Sequence, residues 1–418
     1  MTIRSFKHVR RLAVIALLVA MTPGCREASR QAALQTSAVP KNVILLIGDG
    51  MGPEHIKAGS FYASGKPDSL FMQSMPYKAQ VVTMAAKAPD APAGQLPITD
   101  SAAAGTAMAT GHKAYDSVLS VAIPGDGKPL KTVLESFADK GKMTGLVTTA
   151  YITDATPAAF ASHTEARKNH ADVVTGYLKT VRPNLIMGGG DSDKAANLTG
   201  QTIQAAGYQL ITDRKGLAAL QPAPEGHVFG LFGPTNMPYE ADKIAAATQP
   251  ARAALLEMPS LSEMTQAALK TAAAQPKGFF LMIEGGLIDK AAHANDTARM
   301  VPEVVEFDKT VKVVMDWAAN RTDTLVLVVA DHETGGLKVL QGNGQGRLPQ
   351  VAWTTSSHTG TNVILYAWGV GADKVAGVLD NTDIYRLMMG TFTASSVPAT
   401  ANGRSEPASQ PVASATGS

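Results

Sequence analysis

The sequence predicts an α/β protein: one large, mostly parallel central sheet with helices on both faces. Three observations lead there. Short, near-continuous runs of β-branched and apolar residues recur along the chain, as in "NVILLIGDG" and "DTLVLVVADHETGG"; such runs fit strands buried on both faces. Stretches with apolar residues at helical spacing lie between them, and strand–helix alternation implies a parallel sheet covered on both sides. Finally, the runs close on glycine and on acidic or histidine side chains, and open α/β sheets bind ligands beyond the carboxyl ends of their strands.

The elements follow in order. Residues 1–25 read as an export leader: "MTIRSFKHVRR" is basic, and the following "LAVIALLVAM" is apolar but too short to span a bilayer comfortably. An exported protein, periplasmic or anchored to the envelope, is expected. The single cysteine, Cys25 in "TPGC", has two readings: a lipid anchor of a lipoprotein, or a thiol removed with the leader. No intrachain disulfide can form in either case. Residues 26–40 are small and polar and read as a linker. The folded body is expected over 41–391, and 392–418, rich in Ser, Ala, Pro and Thr, as a disordered tail.

Within the body, strands are expected at Asn42–Ile47, in "TGLVTTA" before Asp154, in "NLIMGGGD", in "GFFLMIEGG" ending at Glu284, in the run before Asp331 and His332, and in "TNVILYAWG". Helices are expected in "PLKTVLESFADKGK" and in "VPEVVEFDKTVKVVMDWAANR", where Val301, Val304, Val305, Phe307, Val311 and Val314 form an apolar stripe. A hydrophobic content of 45% supplies a sizeable core. The formal net charge of +2 excludes a nucleic-acid binder that relies on a broad basic surface; a small anionic substrate needs only a local positive site.

The chemistry gathers at the strand ends. Asp49 alone, in "GDGMG", reads as a turn residue. Asp289 and His293 in "EGGLIDKAAH" stand four apart, so on a helix they share a face and can meet one ion. Asp331 and His332 follow an apolar run, with Gly335 and Gly336 permitting a turn soon after. His358 in "SSHTGTN" precedes a buried run; by itself a histidine there is more often a core or capping residue than a ligand. Carboxylate and imidazole together suit Zn²⁺, whereas Glu, Asp and a Thr hydroxyl suit Mg²⁺. Ser101 in "ITDSAAAGTAMATG" opens a helix-like run. It lacks a nearby histidine and a Gly-x-Ser-x-Gly frame. A metal beside it would remove the need for a base, so helix cap and nucleophile can be one residue. Asp154 and Thr156 end another run, Pro157 suits the first turn of the next helix, and Arg167 beyond them reads equally as an oxyanion fork or a surface residue.

The stretches "NVILLIGDGMG", "TDSAAAGTA", "DATPAAFASH" with Arg167, "IEGGLIDKAAH", "VVADHETGG" and "SHTG", in this order and over nearly the whole body, resemble the alkaline phosphatase family. The resemblance implies that family's fold, two Zn²⁺ and one Mg²⁺, a homodimer, and hydrolysis of small phosphate monoesters for phosphate scavenging. It implies Ser101 as the nucleophile that becomes phosphorylated. It implies Asp289, His293 and His358 on one zinc, and Asp49, Asp331 and His332 on the other. Asp49, Thr156 and Glu284 would hold magnesium, Arg167 would clamp phosphate, and Asp154 and Lys290 would act through water. A phosphodiesterase on the same core remains the main alternative. A sulfatase would need a Cys/Ser-x-Pro-x-Arg motif, and in this chain Ser101 is followed by alanines. A non-catalytic phosphate- or metal-binding protein would not be expected to keep every one of these residues.

Overall fold

The structure, a computed structural model, describes residues 39–393 apart from 93, 191–194, 196 and 222–225. The leader, Cys25, most of the linker and the tail from 394 onward lie outside the described residues. The body runs slightly past its expected boundary at Thr391, because the Phe392 side chain is buried in the core.

Ten strands form the central sheet: β1 (Asn42–Gly48), β2 (Tyr77–Val82), β3 (Met143–Tyr151), β4 (Leu185–Gly189), β5 (Tyr208–Ile211), β6 (His227–Phe232), β7 (Phe279–Gly285), β8 (Thr324–Val329), and, after four short strands (β9 Glu333–Thr334, β10 Lys338–Gln341, β11 Gln350–Ala352, β12 His358–Thr359), β13 (Val363–Gly369) and β14 (Val378–Asp380). Their order is β14-β2-β13-β8-β1-β7-β3-β4-β6-β5. The apolar runs are central: every residue of β1, β7 and β8 is buried. The described part of the stretch from Gly188 to Lys277, which holds no expected ligand, supplies the edge strand β5, its neighbour β6 and several helices.

Register puts the site at one edge. Ile47 of β1 pairs with Glu284 of β7 and with Val329 of β8, and Thr148 of β3 also pairs with Glu284. Asp49, Glu284 and Asp331 therefore emerge side by side. One strand departs from the parallel expectation: β13 is antiparallel to both β8 and β2. Its reversal has a consequence for the site. The segment before β13, which carries His358, is delivered to the carboxyl edge of β8, where a parallel strand would have delivered its other end.

The helix Thr297–Ala318 covers the sheet with its valine stripe; Val301, Val304, Phe307, Val311 and Val314 are fully buried and Val305 is half-buried. The helix in "PLKTVLESFADKGK" is short, Val133–Ala138, and opens with a capping box between Thr132 and Glu135. The helix Ser101–Thr110 is buried along its whole length, which its Ala-rich sequence allows. It packs closely on the helix Ala155–Ala161: a Cβ on Gly105 would come within 2.9 Å of the Ala159 Cβ. That packing fixes the start of the Ser101 helix relative to β3. Among the described residues no helix is long and apolar enough to cross a membrane.

Candidate active site

Ser101 is the first residue of its helix, and the cap falls one residue earlier than expected, on Asp100. The Asp100 carboxylate accepts from Ala103 N at 2.9 Å. Ser101 is thus free of capping. Its Oγ lies 3.2 Å from His332 Nε2, a residue 231 positions away.

Two triads adjoin this serine. In the first, Asp289 Oδ2 lies 3.3 Å from His293 Nε2, Asp289 Oδ1 lies 3.7 Å from His358 Nε2, and the two Nε2 atoms face each other at 3.1 Å. The far ring nitrogens explain this arrangement. His293 Nδ1 reaches the Ser356 carbonyl at 2.7 Å and His358 Nδ1 the Thr99 carbonyl at 2.8 Å. A carbonyl only accepts, so each Nδ1 carries the proton. Each ring thereby turns its Nε2 toward its neighbour and the carboxylate, the atom an imidazole with its proton on Nδ1 offers to a cation.

In the second triad, His332 Nε2 lies 3.2 Å from Asp331 Oδ2 and 3.6 Å from Asp49 Oδ1. Proton bookkeeping again selects the tautomer. Thr334 Oγ1 spends its hydrogen on Asp289 Oδ1 at 2.6 Å, so at 3.2 Å from His332 Nδ1 it can only accept. His332 Nε2 is therefore also a lone pair. Burial, more than any neighbouring charge, lowers the His332 pKa to about 4, which makes it a poor proton acceptor for Ser101 and a suitable ligand. The His332 and His358 rings stack with centroids 3.6 Å apart, so the two triads form one cluster.

The "GDGMG" turn has a definite task. Gly50 adopts φ +66°, donates its N–H to Asp331 Oδ1 at 3.0 Å, and has no room for a Cβ, which would come 2.9 Å from Asp289 Oδ1. Asp49 is thereby swung into the cluster as more than a turn residue.

Glu284, fully buried, accepts from Thr148 Oγ1 at 2.5 Å, and Thr156 bonds the same carboxylate. Burial pushes Glu284, Asp331 and Asp49 above the ordinary carboxylate range, and neighbouring carboxylates add to it. Asp49 Oδ1, Asp331 Oδ2 and Glu284 Oε1 are buried and have no hydrogen-bond partner among the described residues. An unpaired buried carboxylate costs several kcal/mol in general. The orphan oxygens of Asp49 and Asp331 beside His332 Nε2, with that of Glu284 at the end of the adjacent strand, are donors that fit divalent cations.

Arg167 and Lys290 close the other side. Asp154 Oδ1 accepts from Arg167 at 2.7 Å, its Oδ2 lies 2.8 Å from Lys290 Nζ, and Asp100 Oδ2 accepts from Arg167 at 3.2 Å. Burial alone would raise the Asp154 pKa, but Lys290 and Arg167 outweigh it and hold the carboxylate well below its usual range. Asp154 touches both cations directly. Arg167 keeps N–H groups to spare, and it lines a cleft of about 390 Å³ together with Ser101, Asp289, Lys290, His293 and His358.

Every expected site residue is thus found around this cleft or in the buried cluster beneath it. Three contributors went unread: Asp100, detectable as an Asp directly before a helical run; Thr334, two residues after His332; and Thr148, a hydroxyl inside a buried strand. His163 turns away and pairs with Glu135 at 3.2 Å. His170 is half-buried with its Nδ1 2.9 Å from Thr153 Oγ1. Trp353 packs edge-on against His55, away from the cleft wall.

Comparison with known proteins places the chain in a family. The family profile described as alkaline phosphatase matches residues 40–347 and 341–393. The chain is 31% identical to alkaline phosphatase 3 of Bacillus subtilis over 422 residues, covering 82% of this chain and 87% of that protein. It is 35% identical to the streptomycin-6-phosphate phosphatase of Streptomyces griseus over 447 residues, covering 92% and 97%. Among solved structures, a variant of the alkaline phosphatase of the Antarctic bacterium TAB5 with Mg bound superimposes with a TM-score of 0.68 at 25% identity, covering 84% of this chain and 98% of that one. By its sequence and its sheet, the chain belongs to the alkaline phosphatase family, metal-dependent hydrolases of phosphate monoesters.

Proposed function

We propose that turnover proceeds through a phosphoserine at Ser101, with two zinc ions and one magnesium ion as resident metals. The observation that carries this reading is the meeting of Ser101 Oγ, three imidazole Nε2 atoms and a buried carboxylate cluster in and beneath a cleft that also holds Arg167. Asp289, His293 and His358 would hold one zinc, and Asp49, Asp331 and His332 the other. Glu284 and Thr156, with Asp49, would hold magnesium. When bound, these ions supply concentrated positive charge that stabilises an alkoxide and acidifies water.

The side chains do the positioning. Arg167, braced by Asp100 and Asp154, offers its remaining N–H groups to two oxygens of the dianionic phosphoryl group. The first amides of the Ser101 helix add positive potential where that group sits. Ser101 Oγ forms a bond to phosphorus as the ester P–O bond breaks, and the departing alcohol takes up a proton. Water then cleaves the phosphoserine, releases phosphate and restores the hydroxyl. Lys290 stays charged, because the Asp154 and Asp289 carboxylates outweigh the effect of burial; it balances the acidic cluster at the cleft wall. The basic leader supports an exported enzyme, in the periplasm or on the envelope, that frees phosphate for uptake; family resemblance supports a homodimer.

The test compares p-nitrophenyl phosphate with its bis ester, before and after chelation. Strong monoester preference, lost on stripping and regained with zinc, is expected. Diester preference would overturn the substrate class. Ser101→Ala should abolish most turnover and retain binding of inorganic phosphate; undiminished turnover would refute the role of Ser101.

A further inference from the structure

We infer that the alcohol part of the substrate docks in an apolar annex of the catalytic cleft, so that the preferred substrates are monoesters of apolar alcohols without negative charge. This inference rests on the phosphomonoesterase reading above and adds the substrate class. The annex is a cavity of about 610 Å³ lined by Ala85, Ala86, Leu96, Pro97, Ile98 and Tyr115, with Asp116 at its margin. Ile98 and Asp116 also line the 390 Å³ cleft that contains Ser101 and Arg167, so the two spaces adjoin. Ile98 is three residues before Ser101 in the chain.

Three features distinguish the annex from an incidental dimple. Its walls are tied down. Ala85 N donates to the Pro97 carbonyl at 2.9 Å, Ala86 N to the Ala114 carbonyl at 2.9 Å, and the Thr99 carbonyl is held by His358 Nδ1. The annex therefore keeps its place relative to the ligand cluster, as a largely pre-formed subsite should. Second, Leu96 and Ile98 are 60% and 39% exposed. A single exposed leucine is ordinary, but here two large apolar side chains line a concavity that opens onto reacting groups. Third, an acidic side chain is common to the two cavities: Asp116 lines both and accepts from Asp100 N at 3.2 Å, while the Asp100 carboxylate is taken up by Arg167 and by Ala103 N. An anionic alcohol moiety would be repelled there, while a neutral one would lose nothing. In-line attack by Ser101 sends the alcohol away from Ser101 Oγ, and Ile98 is an apolar residue of the cleft wall that also belongs to the annex.

The experiment uses n-alkyl phosphates from ethyl to octyl with the metal-loaded full chain. Their leaving alcohols have nearly equal acidity, so intrinsic reactivity is constant and kcat/KM reports binding of the alkyl chain through the phosphoryl-transfer step. Full burial of a methylene is worth about fourfold; an annex that covers one side of the chain should give about twofold per methylene until it is filled. Leu96→Ser should lower the octyl-to-ethyl ratio of kcat/KM severalfold, and Leu96→Met should keep it. A flat series in an active enzyme overturns the annex and leaves the phosphatase reading intact. Activity on no monoester overturns the phosphatase reading itself, and the annex with it. If Leu96→Ser dissociates an oligomer and leaves the octyl-to-ethyl ratio unchanged, the patch is a face between two copies of this chain and the proposal fails.

Discussion

Glu303 offers a sharp test of how the scaffold responds to alkali. It lies on the inner side of the helix Thr297–Ala318, is 4% exposed, and accepts from Glu240 N at 2.7 Å, which caps the neighbouring helix Glu240–Ala246. Burial, with the Glu240 and Glu306 carboxylates adding to it, pushes its pKa up from 4.5 to about 8. The folded protein therefore holds a proton on Glu303 where the unfolded chain does not. For such a raised pKa, stability is fully present below pH 4.5 and is lost as pH rises through about 8. The slope is about 1.36 kcal/mol per pH unit until the folded pKa is approached, so from pH 5.5 to 8 the loss from this one group is on the order of 3 kcal/mol. Glu303→Gln keeps an oxygen for Glu240 N and carries no titrating proton. Its stability relative to wild type should thus rise by roughly 3 kcal/mol across that interval, seen as a gain of about 4 °C in relative melting temperature for a body of this size. The assay is urea and thermal unfolding at matched metal loading from pH 5.5 to 9. A wild-type-minus-variant difference that stays constant over that range would refute the reasoning.

The other predictions concern the site and one further brace. Arg167→Lys should raise KM for monoesters about 10–100-fold, since the planar fork bridging Asp100 and Asp154 is lost with its charge-assisted bonds; an unchanged KM would remove Arg167 from phosphate binding. His358→Ala should purify with one fewer zinc per chain by elemental analysis and should not be restored by added zinc, whereas full metal content would exclude it as a ligand. Asp308 accepts from Phe71 N and Met72 N, both at 2.8 Å. Asp308→Ala strands both donors and should cost about 2–4 kcal/mol in urea unfolding, with metal affinity preserved; a loss under about 0.5 kcal/mol would mean that water replaces the carboxylate.

Much of this molecule is legible from sequence because burial and periodicity are local properties. Runs such as "NVILLIG" and "FFLMIEG" must be strands buried on both faces, and the valine stripe from Val301 to Val314 must face a core. The types of side chain at strand ends, carboxylate and imidazole, announce their chemistry before any fold is known. What local pattern cannot carry is direction and long-range register. Nothing within "TNVILYAWG" states that β13 runs against β8, yet that reversal brings His358 to the cluster. Ser101 and Asp100 are both good capping residues, and only the position of the Ala103 N–H selects Asp100. The histidine beside Ser101 was invisible in the neighbouring sequence because it arrives from a strand end 231 residues away. The tautomers of His293, His332 and His358 depend on carbonyls and a threonine supplied by other segments. The sequence by itself determined which residues could bind metal and attack phosphorus; the tertiary structure decided which lone pairs face one another, because packing and hydrogen bonds between distant segments fix where each one points.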